Sequence, residues 1–279
     1  MKSHKNTLKL ISAAAIALGA EMTAHAGFTV FEASGNTPVD LTPTRDAFRT
    51  AIGGGTTAGA NGSFGGERRE INWDGVPAVF SDSAAFPANF FNTNSPRGVV
   101  LSTPGSGFLV SANAGGATPE LFGFPADFQS FSAQKLFTAV NSNITDVGFF
   151  EPGTAVPATT SAFGVFFTDA ENAGSTLLEF FDLGNNLLFS REALITANQG
   201  LSFVGGVANA GERISRVRIT SGLNTIVTNG VLGNPNDDVV VMDDFIYAEP
   251  VAVPETGAAI LTCLGVAGFG FMRRRARTV

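Results

Sequence analysis

Carboxylates have the widest chemical reach of any side chains in this chain. Asn234, Asn236, Asp237 and Asp238 share one short segment, and Asp243 and Asp244 stand side by side in the apolar run that follows. Hard oxygen donors in so compact an acidic stretch suit Ca²⁺, although the spacing is not that of an EF-hand. In a strand successive side chains alternate, so Asp243 and Asp244 are expected on opposite faces, with at most one joining the loop residues. Glu32 becomes a further ligand if the two ends of the domain pair. The alternative is an ordinary turn followed by solvated carboxylates, with no cofactor at all.

A second carboxylate group, Glu67, Glu70 and Asp74, surrounds Trp73. A glycosidase needs an acid and a nucleophile or base about 5 to 9 Å apart in a cleft, and Arg68 and Arg69 could tune such a pair beside the aromatic platform. Read structurally, the same segment is a strand whose Trp packs and whose arginines pair with acids. The aromatic usage favours the structural reading. There are 26 Phe against one Trp and one Tyr, whereas sugar clefts draw on several Trp or Tyr side chains.

The rare residues exclude whole classes of function. The histidines are His4 and His25 and the cysteine is Cys263, so the sequence between them carries neither. Triads with histidine, zinc sites built on His or Cys, and thiol redox chemistry need an imidazole or a thiolate. Between residues 27 and 254 there are 10 basic and 22 acidic residues, a net charge of −12. Nucleic acid is not an expected partner, because neutralising phosphates takes clustered Lys and Arg. Arg213, Arg216 and Arg218 read as one solvated strand.

The elements that must position these groups are mostly strands. From Phe28 to Tyr247, period-two alternation and short apolar blocks are separated by Gly, Asn, Pro and Thr clusters. The clearest alternation is Ile214 to Ile219. Ser175 to Asp182 and Leu187 to Glu192, joined by Leu183-Gly184-Asn185-Asn186, form the strongest hairpin signal. Further strands are expected at 28–31, 76–80, 98–102, 108–111, 135–140, 144–150, 162–168, 201–207 and 239–247. Thr44 to Ile52, with Thr44 as N-cap and glycines 53–55 as stop, reads as the one helix, followed by a loop to Gly66. No Gly-Lys-Ser/Thr or G-x-G-x-x-G accompanies that glycine-rich loop, so it is no phosphate cradle. The fold class is mainly β, an antiparallel β-sandwich of jelly-roll-like kind, with a weak internal boundary at 115–130.

Both ends read as targeting segments flanking a domain at 27–252. Lys2, Lys5 and Lys9 precede the apolar run Leu10 to Ala20, and Ala24-His25-Ala26 is a small-x-small cleavage pattern, the makings of a signal helix cut after Ala26. At the other end Val253, Pro254 and Glu255 precede an uncharged run over 257–272, then Arg273, Arg274, Arg275 and Arg277. Sixteen residues of helix span about 24 Å, short of the roughly 30 Å hydrocarbon core, so this transmembrane helix relies on its basic end as a cytoplasmic stop.

This three-part tail resembles the PEP-CTERM sorting signal, in which a Val-Pro-Glu-Pro-like motif, one apolar helix and an arginine-rich end are recognised by an exosortase. The match covers 253–279, with Thr256 where the family usually has proline. Val253 to Gly257 also resembles the Leu-Pro-x-Thr-Gly motif cut by sortases, with Val for Leu. The strands from Phe163 to Phe245, ending in Asp243-Asp244-Phe245, look like the C-terminal sandwich of exported PEP-CTERM proteins. The resemblance implies a protein handed to an exosortase-type enzyme, resident in the membrane through its helix, and destined for the cell surface or extracellular polysaccharide; the absent His and Cys and the scarce Trp and Tyr favour a non-catalytic role. A secreted carbohydrate-active enzyme using carboxylates alone is the alternative, as is a sortase-anchored wall protein.

Overall fold

In the run Ala162–Thr168 the only polar side chain is the last, so this strand has nothing to offer water on either face, and all seven residues are buried. A strand of that composition belongs between two packed layers. The computed structural model describes residues 27–81, 86–112, 120–227, 231–232 and 238–254, and of these 40 % are strand and 16 % helix. In chain order the strands are β1 (Phe28–Gly35), β2 (Ser63–Phe64), β3 (Arg68–Ile71), β4 (Val99–Ser102), β5 (Gly107–Val110), β6 (Phe137–Val140), β7 (Ile144–Phe149), β8 (Ala158–Thr159), β9 (Ala162–Thr168), β10 (Leu177–Phe181), β11 (Leu187–Glu192), β12 (Leu201–Ala208), β13 (Arg216–Thr220), β14 (Ile226–Val227), β15 (Val231–Leu232), β16 (Val241–Ala248) and β17 (Val251–Ala252).

One sheet runs β1-β12-β9-β16-β6-β14-β15, with β3 also on β16, β2 on β3 and β5 on β6; the other runs β11-β10-β13-β7-β4; β17 pairs with β8. Pairing is antiparallel apart from one parallel contact between β6 and β14. Phe163, Phe167, Phe245 and Tyr247 of the first sheet share a core with Val147, Phe149, Phe180 and Val217 of the second. The ring centroids of Phe149 and Tyr247 lie 5.8 Å apart across the two sheets. This is the arrangement of a β-sandwich.

The opposite face of the large sheet is covered by α1 (Pro38–Ile52), which buries Leu41, Phe48 and Ile52 against Phe166, Phe203 and Ile246. The sequence places the start of this helix at Thr44; it starts six residues earlier. Pro38 takes a first-turn position, where a missing N–H costs nothing. The Asp40 carboxylate accepts from the N–H and hydroxyl of Thr37, a capping box that the later start overlooks. The ring of Phe48 lies over Gly164 and Gly205, which face each other across β9 and β12. A β-carbon at Gly205 would come 2.9 Å from that ring.

The strand expected at 76–80 is absent. Trp73–Gly75 is a single 3₁₀ turn and Ala78–Ser81 a helical turn, α2. Pro77 cannot donate to a ladder, and its carbonyl instead accepts from the N–H groups of Phe80 and Ser81. The expected loop 53–66 contains a 3₁₀ turn at Ala60–Gly62 and β2. A second helical turn, α3, spans Phe90–Thr93. Among the described residues no helix is long and apolar enough to cross a membrane. The leader with Ala24 and Ala26, Asp237, Glu255, the helix at 257–272 and Arg273, Arg274, Arg275 and Arg277 lie outside the described residues.

Candidate functional site

The chemistry gathers where β16 breaks its register with β9 between Met242 and Phe245. A bulge there leaves Asp243 and Asp244 inside a strand buried over all eight residues, and it cancels the alternation expected of them. The two carboxylates reach the same hydroxyl: Ser132 Oγ lies 2.8 Å from Asp244 Oδ1 and 3.4 Å from Asp243 Oδ1. Asp74 Oδ2 is 3.2 Å from the same oxygen. Asp243 also accepts the N–H groups of Phe131 at 2.6 Å and Ser132 at 3.1 Å, while its backbone carbonyl takes the Trp73 indole N–H at 3.1 Å.

Asp243 and Asp244 are both buried and adjacent, which disfavours two full charges, because water is excluded and like charges repel. Burial, and then the adjacent Asp244, raise Asp243 well above the ordinary carboxylate range, which favours its neutral form. Burial likewise raises Asp244, to about 6, against the opposing hydrogen bonds from Asp243 and Ser132; the charges of Glu70 and Asp74 add to the rise.

Asp244 opens onto a cleft of about 290 Å³ beneath α1. Arg45 and Arg49 of the helix, Glu70 of β3, Asn72 and Arg97 supply its polar wall, and Phe64 and Phe131 its apolar one. β3 pairs with β16 so that Glu70 lies opposite Ile246. Its carboxylate is gripped by Arg49 at 2.5 and 2.7 Å and by Arg68 Nε at 3.0 Å. Arg69, pointing the other way, is held by Glu249 at 2.8 Å.

Arg97 differs from these. Its guanidinium donates to Ser95 Oγ at 2.6 Å and lies 5.0 Å from the Phe91 ring centroid. Among the described residues no carboxylate pairs with it, and its buried Nε has no acceptor. Burial, the largest influence on Arg97, lowers its pKa. Gly62, at φ +65, passes so close that a β-carbon there would stand 2.6 Å from Arg97 Nε.

The structure thus brings Glu70 and Asp74 into the neighbourhood of Asp244 but leaves Glu67 exposed. Trp73 offers no sugar platform: it is wholly buried, stacked on Phe137 with centroids 4.0 Å apart. Of the calcium candidates, Glu32 is not brought to Asp243 and Asp244, and Asn234, Asn236 and Asp237 lie outside the described residues. β1 pairs with β12 rather than with the last strands, and Glu32 is held bidentately by Arg191 at 2.7 Å. Asp238 accepts from Ser175 Oγ at 2.7 Å and from the Glu171 N–H at 3.3 Å. Among the described residues no group of three or more His, Cys, Asp or Glu is placed to hold a metal ion. Arg216 and Arg218 both pair with Asp146.

Sequence reasoning missed Arg45, Arg49, Arg97 and Ser132. The available signal was compositional: five of the nine arginines outside the tail fall between residues 45 and 97 of a strongly acidic chain. No family model matches the chain, and no significant match was found among curated proteins or solved structures.

Proposed function

We propose that this chain is a non-catalytic exported protein, a jelly-roll-like sandwich delivered to the cell surface or extracellular polysaccharide matrix. In this reading the leader 1–26 directs export. The helix 257–272 and the arginines behind it hold the chain in the membrane, and an exosortase-type enzyme reads Val253, Pro254 and Glu255. The observation that carries it is the order of events at the C-terminal end. β17 is exposed at both residues, the Val253 N–H still donates to the Pro157 carbonyl at 2.9 Å, and Pro254 is exposed. The motif therefore begins where backbone pairing stops, which a processing enzyme requires of an extended substrate.

The test compares tail mass and membrane fractionation in cells with and without the exosortase. A chain shortened only where the enzyme is present supports the reading, and identical unclipped chains in both overturn it. Pro254→Ala with Glu255→Ala should leave the chain membrane-bound and unprocessed, whereas deleting Arg273 to Arg275 should release it from the membrane. Repeating the comparison with a sortase separates the two processing enzymes.

One observation favours a second reading, the carboxylate-only glycosidase: Asp244 and the doubly ion-paired Glu70 line the same cleft. Turnover of a polysaccharide panel, abolished by Glu70→Gln, would establish it.

A further inference from the structure

We propose that the cleft beneath α1 is a binding site for a one-ring sugar acid, a hexuronate in size and charge. This inference rests on the cleft alone and is independent of how the chain is sorted.

Charge comes first. The domain is strongly acidic, yet the cleft is lined by three guanidiniums, those of Arg45, Arg49 and Arg97, against two carboxylates, Glu70 and Asp244. Arg49 is committed to Glu70, which Arg68 also shares. Arg45 leans on the exposed Asp46 at 2.9 Å. Arg97 donates to a hydroxyl and lies on an aromatic ring, with no carboxylate partner among the described residues. A partly buried guanidinium without a counter-charge is costly, and an entering anion would relieve that cost. Among the described lining residues Arg97 is the one guanidinium without a carboxylate partner, which suits a monoanion. A dianion such as phosphate would set its second charge against Glu70 and Asp244.

Size and lining narrow the class further. At about 290 Å³ the cleft sits at the lower end of the roughly 300–1,000 Å³ usual for ligand sites, room for one ring rather than a chain. Asn72, Ser132 and Asp244 present acceptors and donors for hydroxyl groups, and Phe131, with Arg45 5.4 Å over its ring, contributes an apolar edge. Phe131 is itself fixed by stacking on Phe166 at 3.7 Å and by the Phe131 N–H bond to Asp243. Arg49, Glu70, Ser132 and Asp244 are held by their own bonds before any ligand arrives, which lowers the ordering cost of binding.

The test is titration calorimetry and thermal shift on the full-length chain in detergent at neutral pH, with glucuronate, glucose and inorganic phosphate as probes. Saturable glucuronate binding that raises Tm is expected, with glucose weaker by about tenfold or more, the worth of one charge-assisted contact. Arg45→Gln and Arg97→Gln should each weaken glucuronate by about tenfold, while Arg218→Gln, on the other sheet, leaves it unchanged. Arg97 packs on Phe91 at 5.0 Å and Arg45 over Phe131 at 5.4 Å, and Arg45→Gln serves as the second variant. Its ligand-free Tm should match that of the parent chain. Absence of saturable glucuronate binding at millimolar concentration, phosphate binding as tight as glucuronate, or glucuronate binding that survives both substitutions would each overturn the proposal.

Discussion

Gly164 and Gly205 are cross-strand partners that together form the flat spot on which Phe48 rests. Each lacks the one atom that would lift helix α1 from the sheet. Gly205→Ala should therefore cost about 1–3 kcal/mol by overpacking. Phe48→Leu in the same chain should recover part of that loss, because the two residues share one contact. Chemical denaturation of the single and double variants measures the coupling; strictly additive losses would show that the helix does not rest there.

Burial and the adjacent Asp244 favour the neutral form of Asp243, so an amide can replace it. Asp243→Asn keeps an oxygen for the N–H groups of Phe131 and Ser132 and an N–H for Asp244, and should lose little stability. Asp243→Ala leaves the buried Phe131 N–H and the half-buried Ser132 N–H without an acceptor and should cost on the order of 2–4 kcal/mol. Equal losses in the two variants would mean that the charge, rather than the hydrogen bonds, is what the site uses.

Asp169 gives a pH dependence with a definite sign. Its Oδ1 is buried without a partner, and burial, followed by the charges of Glu171 and Asp127, raises its pKa from 3.8 to about 7. Below the unfolded value both states hold the proton and the group's contribution is fully present. As pH rises through 7 the folded chain must surrender the proton, and the contribution is lost. Asp169→Asn, at a φ of +72 that Asn accepts readily, should match the parent at pH 4 and gain in Tm between pH 4 and 7, by several degrees above pH 7. A constant difference across that range would refute the assignment.

The ion pairs should divide by exposure. Arg191 and Glu32 are 46 % and 27 % exposed at their side chains, so Arg191→Ala should cost less than about 1 kcal/mol, and less still in high salt. Glu70 is 12 % exposed and serves two guanidiniums. Glu70→Ala should cost about 3 kcal/mol or more by stranding them. Denaturation at low and high salt distinguishes the two cases.

The parts of the fold legible in the sequence were those encoded locally. The hairpin of β10 and β11 was announced by its turn, where Asn185 takes φ +61 and the Asp182 carboxylate accepts the Asn186 N–H at 2.8 Å. The alternation from Ile214 survived as β13. Strand β16 was legible as a strand, but its bulge was not, since a register slip depends on what β9 offers opposite. The cleft was least legible because it joins a helix at 45–49, a strand at 70, a loop at 97 and another at 131–132 to the bulge at 244. Only tertiary packing makes neighbours of those positions.

Strand β16 is both nearly the last element of the described domain and the central strand of its large sheet, pairing with β9, β6 and β3. A chain emerging from its N-terminus, whether from a ribosome or through a membrane pore, has the rest of that sheet available while the slot for β16 is still vacant. The two halves of the large sheet cannot be joined until residue 248 has emerged. Such late, long-range closure makes assembly slow and leaves the edges of β9 and β6 open to other strands in the meantime. The described domain therefore commits to its native state only after residue 248 has been delivered.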